Sequence, residues 1–294
     1  MSVQKRRDEL TTLNLLFCLM VLWSHCSGHP ITVLDHSSWQ YGLMISLQRL
    51  TFVSVSGFFF LSGVKLTLNS ASAPPPPLGR YWAKRWKGIF LPYLLAVAVY
   101  YVYFVSHGYF SFSLRDLAGY MIRGDLSSPF YFVIALAQFV LLLPLFRGLP
   151  RRWSPSVLLP ISLGITWLSA LYCNEILGLL IPGAHFSYND RLFTTYLVYY
   201  VGGCCAGQNY PRFLELLDRN RPLLTACALI FAGADLFFSW KFFVGGQSVP
   251  FLEMIHTLYQ LTAIPALYAL VVRHPVTLSP LARRAALRVT AESR

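Results

Sequence analysis

A histidine inside the first long apolar run is well suited in this chain to proton transfer. His25 follows Asn14 by eleven residues in the stretch NLLFCLMVLWSHCSGH. At 100° per residue, eleven helical steps return to within roughly 20° of the starting direction, so both side chains are expected on one side of a helix. A neutral imidazole is a competent general base. The alternative is a histidine that only hydrogen-bonds to a neighbouring helix, and these residues alone leave both interpretations open.

Other polar side chains interrupt later apolar runs. Arg49 lies in the second run, and Glu253, His256 and Gln260 follow the i, i+3, i+7 spacing of one helix face in the last. A charged group at bilayer depth costs about 2.5–3.5 kcal/mol, so it needs an ionic or hydrogen-bonding partner. Glu253 or Asp235 would serve Arg49 as a structural partner. The same residues would also suit a pocket for an anionic or hydroxyl-bearing ligand, and the spacing does not separate the two.

Two cations stand at the start of another apolar run. Arg85 and Lys87 fall in YWAKRWKGIFLPYL, residues 81–94. Such residues commonly anchor a helix among lipid phosphates, and they equally suit the phosphates of a cytosolic ligand. No Cys/His spacing typical of a metal site occurs, so no metal is predicted.

The elements that position these residues are apolar segments of membrane-spanning length. The chain of 294 residues is 55% hydrophobic and only 12% charged, against about 25% charged in soluble domains. Eight segments suit roughly 17–25-residue spans, at about 11–28, 41–64, 88–106, 129–147, 155–173, 191–208, 222–240 and 250–272. This pattern predicts an all-α, polytopic transmembrane helix bundle embedded in a lipid bilayer.

The distribution of basic residues predicts the orientation of the bundle. Of the 24 Lys and Arg residues, 19 fall in the N-terminus, the even-numbered loops and the tail, and only 4 in the odd-numbered loops. The positive-inside rule therefore predicts a cytoplasmic N-terminus. The net charge of +12 is thus a topology signal, and we expect no nucleic-acid partner.

The chain is expected to form a single membrane domain over residues 1–294. The proline-rich stretch SASAPPPPLGR, residues 70–80, predicts an extended cytoplasmic linker. The outer loop 107–128 has apolar residues at helical spacing between charges, which predicts a short amphipathic helix at the membrane surface.

From about residue 8 to 272 the chain resembles acyltransferase family 3, the integral membrane acyltransferases. His25 matches the family histidine that follows a basic residue after ten intervening positions, and Asn14 stands in place of that basic residue. SGFFFLSGVKL is similar to the family's phenylalanine-rich segment ending in Ser-Gly. KRWKGIFLPYL is similar to its arginine-rich entry to a Pro-Tyr helix. Here Arg85 matches the first arginine and Gly88 replaces the second.

The resemblance implies a fold and an activity. The family usually has ten spans, so this chain is expected to be a C-terminally shortened member. It would be a multi-pass O-acyltransferase of a bacterial cytoplasmic membrane, with no permanently bound cofactor. It would move an acyl group, expected to be acetyl, from cytosolic acyl-CoA to a hydroxyl of an extracytoplasmic sugar or surface polymer.

The resemblance also suggests roles for the polar residues. The base would be His25, with Asn14 on the same helix face. The CoA phosphates would be held by Arg85 and Lys87, and the oxyanion or the acceptor by Arg49, Glu253 and His256.

Two other function classes compete with this one. In a transporter or exporter of a lipid-linked sugar, Arg49, Glu253 and His256 would form a permeation path or proton relay. No inverted repeat or pair of broken helices supports that class. The third class is an inactive membrane partner protein.

Overall fold

The computed structural model describes residues 8–68 and 77–273, and every regular element in these ranges is helical. Three 3-10 turns lie at Ser128–Phe130, Asn189–Arg191 and Phe193–Tyr196, and a π-turn lies at Trp86–Phe90. The α-helices are α1 (Asp8–Cys26), α2 (Gly28–Val33), α3 (Trp39–Thr51), α4 (Val53–Leu68), α5 (Leu78–Arg85), α6 (Leu91–Ser106), α7 (Leu114–Arg123), α8 (Tyr131–Leu141), α9 (Leu143–Arg152), α10 (Pro155–Leu180), α11 (Leu197–Gln208), α12 (Tyr210–Arg219), α13 (Arg221–Phe243) and α14 (Leu252–Arg273). The predicted all-α class is confirmed.

Fewer helices than predicted are long and apolar enough to cross a bilayer by themselves. Within the described ranges there are six: Asp8–Val33, Trp39–Leu68, Leu78–Ser106, Pro155–Leu180, Arg221–Phe243 and Leu252–Arg273. A seventh crossing results if Leu114–Arg123 and Ser128–Leu141, which meet at a bend of 57°, count as one span. The eight predicted segments are therefore six or seven crossings here, because two of the segments are interrupted.

The predicted span 129–147 is interrupted by a proline. It consists of α8 and α9, which meet at Leu142. Pro144 has no N–H to donate to the carbonyl of Val140 four residues earlier, so the regular hydrogen-bond ladder stops there. Proline is well tolerated in the first turn of the next helix, where it lies in α9.

Only the part of the predicted span 191–208 that begins at Leu197 is α-helical. Its first part forms two 3-10 turns instead of an α-helix. The hydroxyl of Thr195 donates to the carbonyl of Asn189 at 2.8 Å, and Ser169 Oγ lies 2.7 Å from Thr194 Oγ1. Side-chain hydrogen bonds of this kind compete with the helical ladder, which explains the short α11.

The entry to the third span contains a π-turn ahead of a proline. The N–H of Leu91 bonds to the carbonyl of Trp86, five residues earlier, which inserts one extra residue into the helical turn. Pro92 follows in the first turn of α6 and cannot donate to Gly88. The proline is therefore accommodated by a local widening of the helix.

The amphipathic helix predicted in the loop 107–128 is present as α7. The Ser113 hydroxyl accepts the N–H of Asp116 at 3.2 Å and caps its start. The helix ends at Gly124, whose φ of 65° suits glycine. Most of the predicted proline-rich linker and the tail beyond Arg273 lie outside the described residues.

The helices form two compact units. The first contains α1 to α4 and the chain from Tyr199 through α14; the second contains α5 to α10 and the chain up to Val198. In the first unit α4 is largely enclosed, because ten of its 16 residues are buried. A single domain over residues 1–294 stays a prediction beside this division.

Helices α4 and α11 approach each other so closely that only glycine fits between them. A Cβ atom on Gly63 would collide with the carbonyl oxygen of Tyr200 and lie 2.8 Å from the nitrogen of Cys204. A Cβ on Gly203 would collide with the carbonyl of Phe60. Small residues permit such backbone contact between membrane helices. The hydroxyl of Thr67 also donates across this contact to the carbonyl of Cys204 at 2.8 Å.

Replacing Gly63 with alanine is therefore expected to destabilise the protein. Its new methyl group meets backbone atoms that cannot rotate away, and overpacking of this kind typically costs about 1–3 kcal/mol. Thermal unfolding of the detergent-solubilised protein measures the effect. Gly233→Ala is the matched control, because nothing lies within 4 Å of that Cβ position in α13. Equal melting temperatures for the two variants would contradict the close packing of α4 on α11.

Candidate functional site

The side chain of Arg49 joins three helices of the first unit. Arg49 lies in the last turn of α3, and its Nη2 donates to Asp235 Oδ1 of α13 at 2.9 Å. Its Nη1 donates to Glu253 Oε1 of α14 at 3.0 Å. Asp235 is fully buried, whereas the Glu253 side chain is 53% exposed. Both structural partners considered from the sequence are therefore used, and the ion-pair alternative for Arg49 is the observed one.

The network continues from Asp235 along α14. The second carboxylate oxygen, Oδ2, lies 2.9 Å from His256 Nδ1. The Nε2 atom of His256 lies 2.7 Å from the amide nitrogen of Gln260. Gln260 Oε1 then accepts from Ser56 Oγ at 2.7 Å and from Tyr199 OH at 2.6 Å. The predicted common face of Glu253, His256 and Gln260 is thus one connected hydrogen-bond network.

The donors and acceptors of this network agree with one protonation state. Asp235 accepts on both oxygens, so His256 carries its proton on Nδ1. The unprotonated Nε2 then accepts from the amide nitrogen of Gln260, which leaves Oε1 as the acceptor for Ser56 and Tyr199. A neutral histidine satisfies every contact at once.

His25 and Asn14 occupy different environments on α1. His25 is exposed at the penultimate position of the helix, and Asn14 is buried at 7% exposure. Among residues 8–68 and 77–273, the His25 ring forms no hydrogen bond or ion pair. On the helix face that the eleven-residue spacing predicts for both residues, Asn14 is therefore buried by other residues and His25 is exposed.

A hydrogen bond ties the His25 end of α1 to the Arg49 region of α3. The side-chain amide of Gln48 donates to the carbonyl of Ser24 at 3.2 Å. Since each of these residues directly precedes one of the two candidates, His25 and Arg49 belong to the same part of the first unit. The structure thus joins Arg49, Glu253 and His256 through Asp235 and links the helix that carries His25 to the helix that carries Arg49.

The remaining candidates, Arg85 and Lys87, belong to the second unit. The guanidinium of Arg85 lies 5.2 Å from the centre of the Tyr81 ring, a cation–π distance. Lys87 is exposed in the π-turn and lines a cavity of about 370 Å³. In the described part of the chain, no group of three His, Cys, Asp or Glu residues is arranged to hold a metal ion.

Some contacts of the site had no signal in the sequence. Ser56 lies 204 residues from its partner Gln260, and Tyr199 lies 61 residues from the same side chain. A tyrosine hydroxyl inside a membrane bundle needs a hydrogen-bond partner, which is the one clue that the sequence offered. The identity of that partner depends on how α11 packs, and side-chain periodicity does not define it.

Loss of Asp235 is expected to destabilise the first unit strongly. Asp235→Leu would leave the guanidinium of Arg49 and the Nδ1–H of His256 without their buried acceptor, and breaking a buried pair typically costs about 3–5 kcal/mol. Glu253→Gln is the control, because its half-exposed pair with Arg49 is worth at most about 1 kcal/mol. The measurement is thermal unfolding in detergent. An Asp235→Leu variant as stable as Glu253→Gln would show that the buried network contributes nothing.

Comparison with known proteins assigns the chain to a protein family. A family model described as an acyltransferase domain matches residues 8–291, a range that includes both compact units. No curated protein and no solved structure matches the chain. The match includes the SGFFFLSG segment, the helix that carries His25 and the entry with Arg85 and Lys87. The chain therefore belongs to acyltransferase family 3, and it is a membrane acyltransferase with multiple transmembrane helices.

Proposed function

We propose that this protein transfers an acetyl group from cytosolic acetyl-CoA to a hydroxyl of an extracytoplasmic sugar or cell-surface polymer, with His25 as general base. The observation that carries the proposal is the contrast between its two intramembrane histidines. Both ring nitrogens of His256 are engaged, by Asp235 and by Gln260. The His25 ring is exposed and has no such partner in the described part of the chain. His25 is thus the histidine with a nitrogen available to a substrate.

The reaction requires one proton carrier. The oxygen of the acceptor hydroxyl attacks the thioester carbonyl carbon while the imidazole of His25 takes the hydroxyl proton. The C–S bond then breaks, and its electron pair leaves with the CoA sulfur. The imidazolium returns its proton to that thiolate, so His25 ends the cycle neutral. A histidine that begins the reaction without a competing partner suits both transfers.

Asn14 supports the same helix from its buried half. In this proposal it is the polar group nearer the cytoplasmic end of α1, where the family has a basic residue. An uncharged amide can donate to the donor's carbonyl or to a neighbouring helix. It supplies hydrogen bonding without the desolvation cost of a cation.

The acceptor side is assigned to the network around Arg49. The Arg49 Nε–H is buried and has no hydrogen-bond partner among the described residues, so a developing oxyanion would reach it only after neighbouring side chains move. Glu253 is half exposed and can accept hydrogen bonds from sugar hydroxyls. We therefore assign direct contact with the acceptor to Glu253, and to Arg49 and His256 the positioning of helix α14 around it.

The donor side is assigned to Arg85 and Lys87. The phosphates of CoA carry several negative charges, and guanidinium and ammonium groups at a membrane surface bind such groups in charge-assisted hydrogen bonds. The positive-inside pattern predicts that both residues face the cytosol, where acyl-CoA is found.

Replacement of His25 tests the proposal. His25→Ala is expected to lower transfer of radiolabelled acetyl from acetyl-CoA to the envelope glycan fraction by about 10²–10⁴-fold, the usual contribution of a general base. The assay uses membranes that contain the full-length protein at matched levels. His29→Ala is the control, because His29 is exposed only four residues further along the chain.

Three results would count against the proposal. Unchanged turnover in His25→Ala would remove the base assignment. An equal loss in His29→Ala would show that the region matters and the His25 imidazole does not. Transport of a lipid-linked sugar by the wild-type protein without any acyl transfer would favour the exporter class instead.

A further inference from the structure

A small apolar cavity lies beside the proposed phosphate-binding cations in the second unit. Its volume is about 370 Å³, near the lower end of the ~300–1,000 Å³ typical of small-molecule sites. It lies between the entry helix α5 with its π-turn on one side and helix α8 on the other. The lining residues are Trp82, Ala83, Trp86, Lys87, Phe90, Val140 and Leu141. Lys87 is the only charged residue among them.

The position of the first tryptophan follows from the break between α8 and α9. Pro144 cannot donate to the carbonyl of Val140, so that acceptor is free for another group. The indole Nε1–H of Trp82 donates to it at 3.1 Å. This bond holds the Trp82 ring at the wall of the cavity and links α5 to α8.

The second tryptophan lies at the start of the π-turn. Trp86 is 53% exposed, and its ring lies 5.9 Å from that of Phe90 at an angle of 43°. Two indoles and a phenyl ring therefore surround a cavity with an open side. Planar aromatic surfaces of this kind bind the faces of planar ligands, above all nucleobases.

The surroundings of the cavity are strongly positive. Arg80, Lys84, Arg85 and Lys87 occur within eight residues, and no acidic residue occurs anywhere between Asp35 and Asp116. The facing segment from Tyr131 to Arg152 contains none either. A ligand that brings phosphates together with an aromatic ring matches both the charge and the shape of this region.

We propose that this cavity binds the adenine ring of coenzyme A, with the adenosine phosphates on Lys87 and Arg85. This inference rests on the proposed function, because it names where the acyl-CoA nucleotide would lie. The base is attached to the same ribose as the phosphates, so it must bind within a few ångströms of the cations. The acyl group lies at the far end of the long pantetheine arm, and an apolar cavity beside the phosphates cannot be its site.

Replacement of Trp86 tests the inference by separating nucleotide recognition from chemistry. Trp86→Leu keeps apolar volume and removes the aromatic face, so the KM for acetyl-CoA is expected to rise about tenfold, in line with the loss of one stacked base. Acetyl-pantetheine lacks the nucleotide, so its KM is expected to be the same for the variant and the wild type. Trp86→Phe, which restores an aromatic ring, should recover most of the affinity for acetyl-CoA.

The control is Trp153→Leu, because Trp153 also belongs to the second unit and is exposed to the same 53%. It should leave the KM for both donors unchanged. Binding of adenosine 3′,5′-bisphosphate, followed by quenching of tryptophan fluorescence in the purified full-length protein, gives a readout independent of turnover. The concentration of bisphosphate that gives half-maximal quenching should be about tenfold higher in Trp86→Leu than in Trp153→Leu.

Several outcomes would overturn the inference without touching the proposed function. They are an unchanged KM for acetyl-CoA in Trp86→Leu, an equal rise for acetyl-pantetheine, and quenching by anionic phospholipid in nanodiscs that the bisphosphate does not displace. The last would identify a lipid as the occupant. If the wild-type protein binds the bisphosphate but transfers no acetyl group, the proposed function fails while the nucleotide site stands.

Discussion

A guanidinium inside a membrane bundle must keep ionised partners within hydrogen-bond distance, and this requirement organises the first unit. Arg49 takes Asp235 from α13 and Glu253 from α14. Taking such charges out of water costs several kcal/mol each, so the pairs persist only where further hydrogen bonds support the charged groups. Asp235 therefore fixes His256, which in turn fixes Gln260. One buried charge thereby sets the arrangement of the helices around it.

The same constraint distinguishes two histidines of the first unit. A histidine whose two nitrogens are both committed, as in His256, stabilises the bundle and has no nitrogen left for a substrate. His25 lies in the same unit at the exposed end of α1, and the side chain of Gln48 in α3 donates to the carbonyl of Ser24 beside it. Rigid surroundings and an uncommitted side chain are the two properties that a general base requires.

Apolar run length predicted the helices well because a bilayer imposes one simple requirement on every crossing segment. It failed at 129–147 and 191–208, where Pro144 and the threonines before α11 interrupt the backbone ladder within an apolar run. Averaged hydropathy does not register such breaks. Arg49 was recognisable as a residue in need of a carboxylate, yet the choice of both Asp235 and Glu253 came from three-dimensional packing. The role of Trp82 likewise depended on a carbonyl freed 58 residues away.

The π-turn at Trp86–Phe90 has a consequence for the helix that follows it. One additional residue in a turn rotates every later side chain by about 100° relative to an uninterrupted helix. Trp82 before the turn lines the cavity, while Tyr93, Val97 and Tyr101 form the buried stripe of α6 after it. The turn is thus a phase shift between two faces of one continuous segment. If the same residues formed an uninterrupted α-helix, the buried stripe of α6 would turn by that angle away from its present contacts, whereas deletion of one residue within the turn would leave both faces where they are.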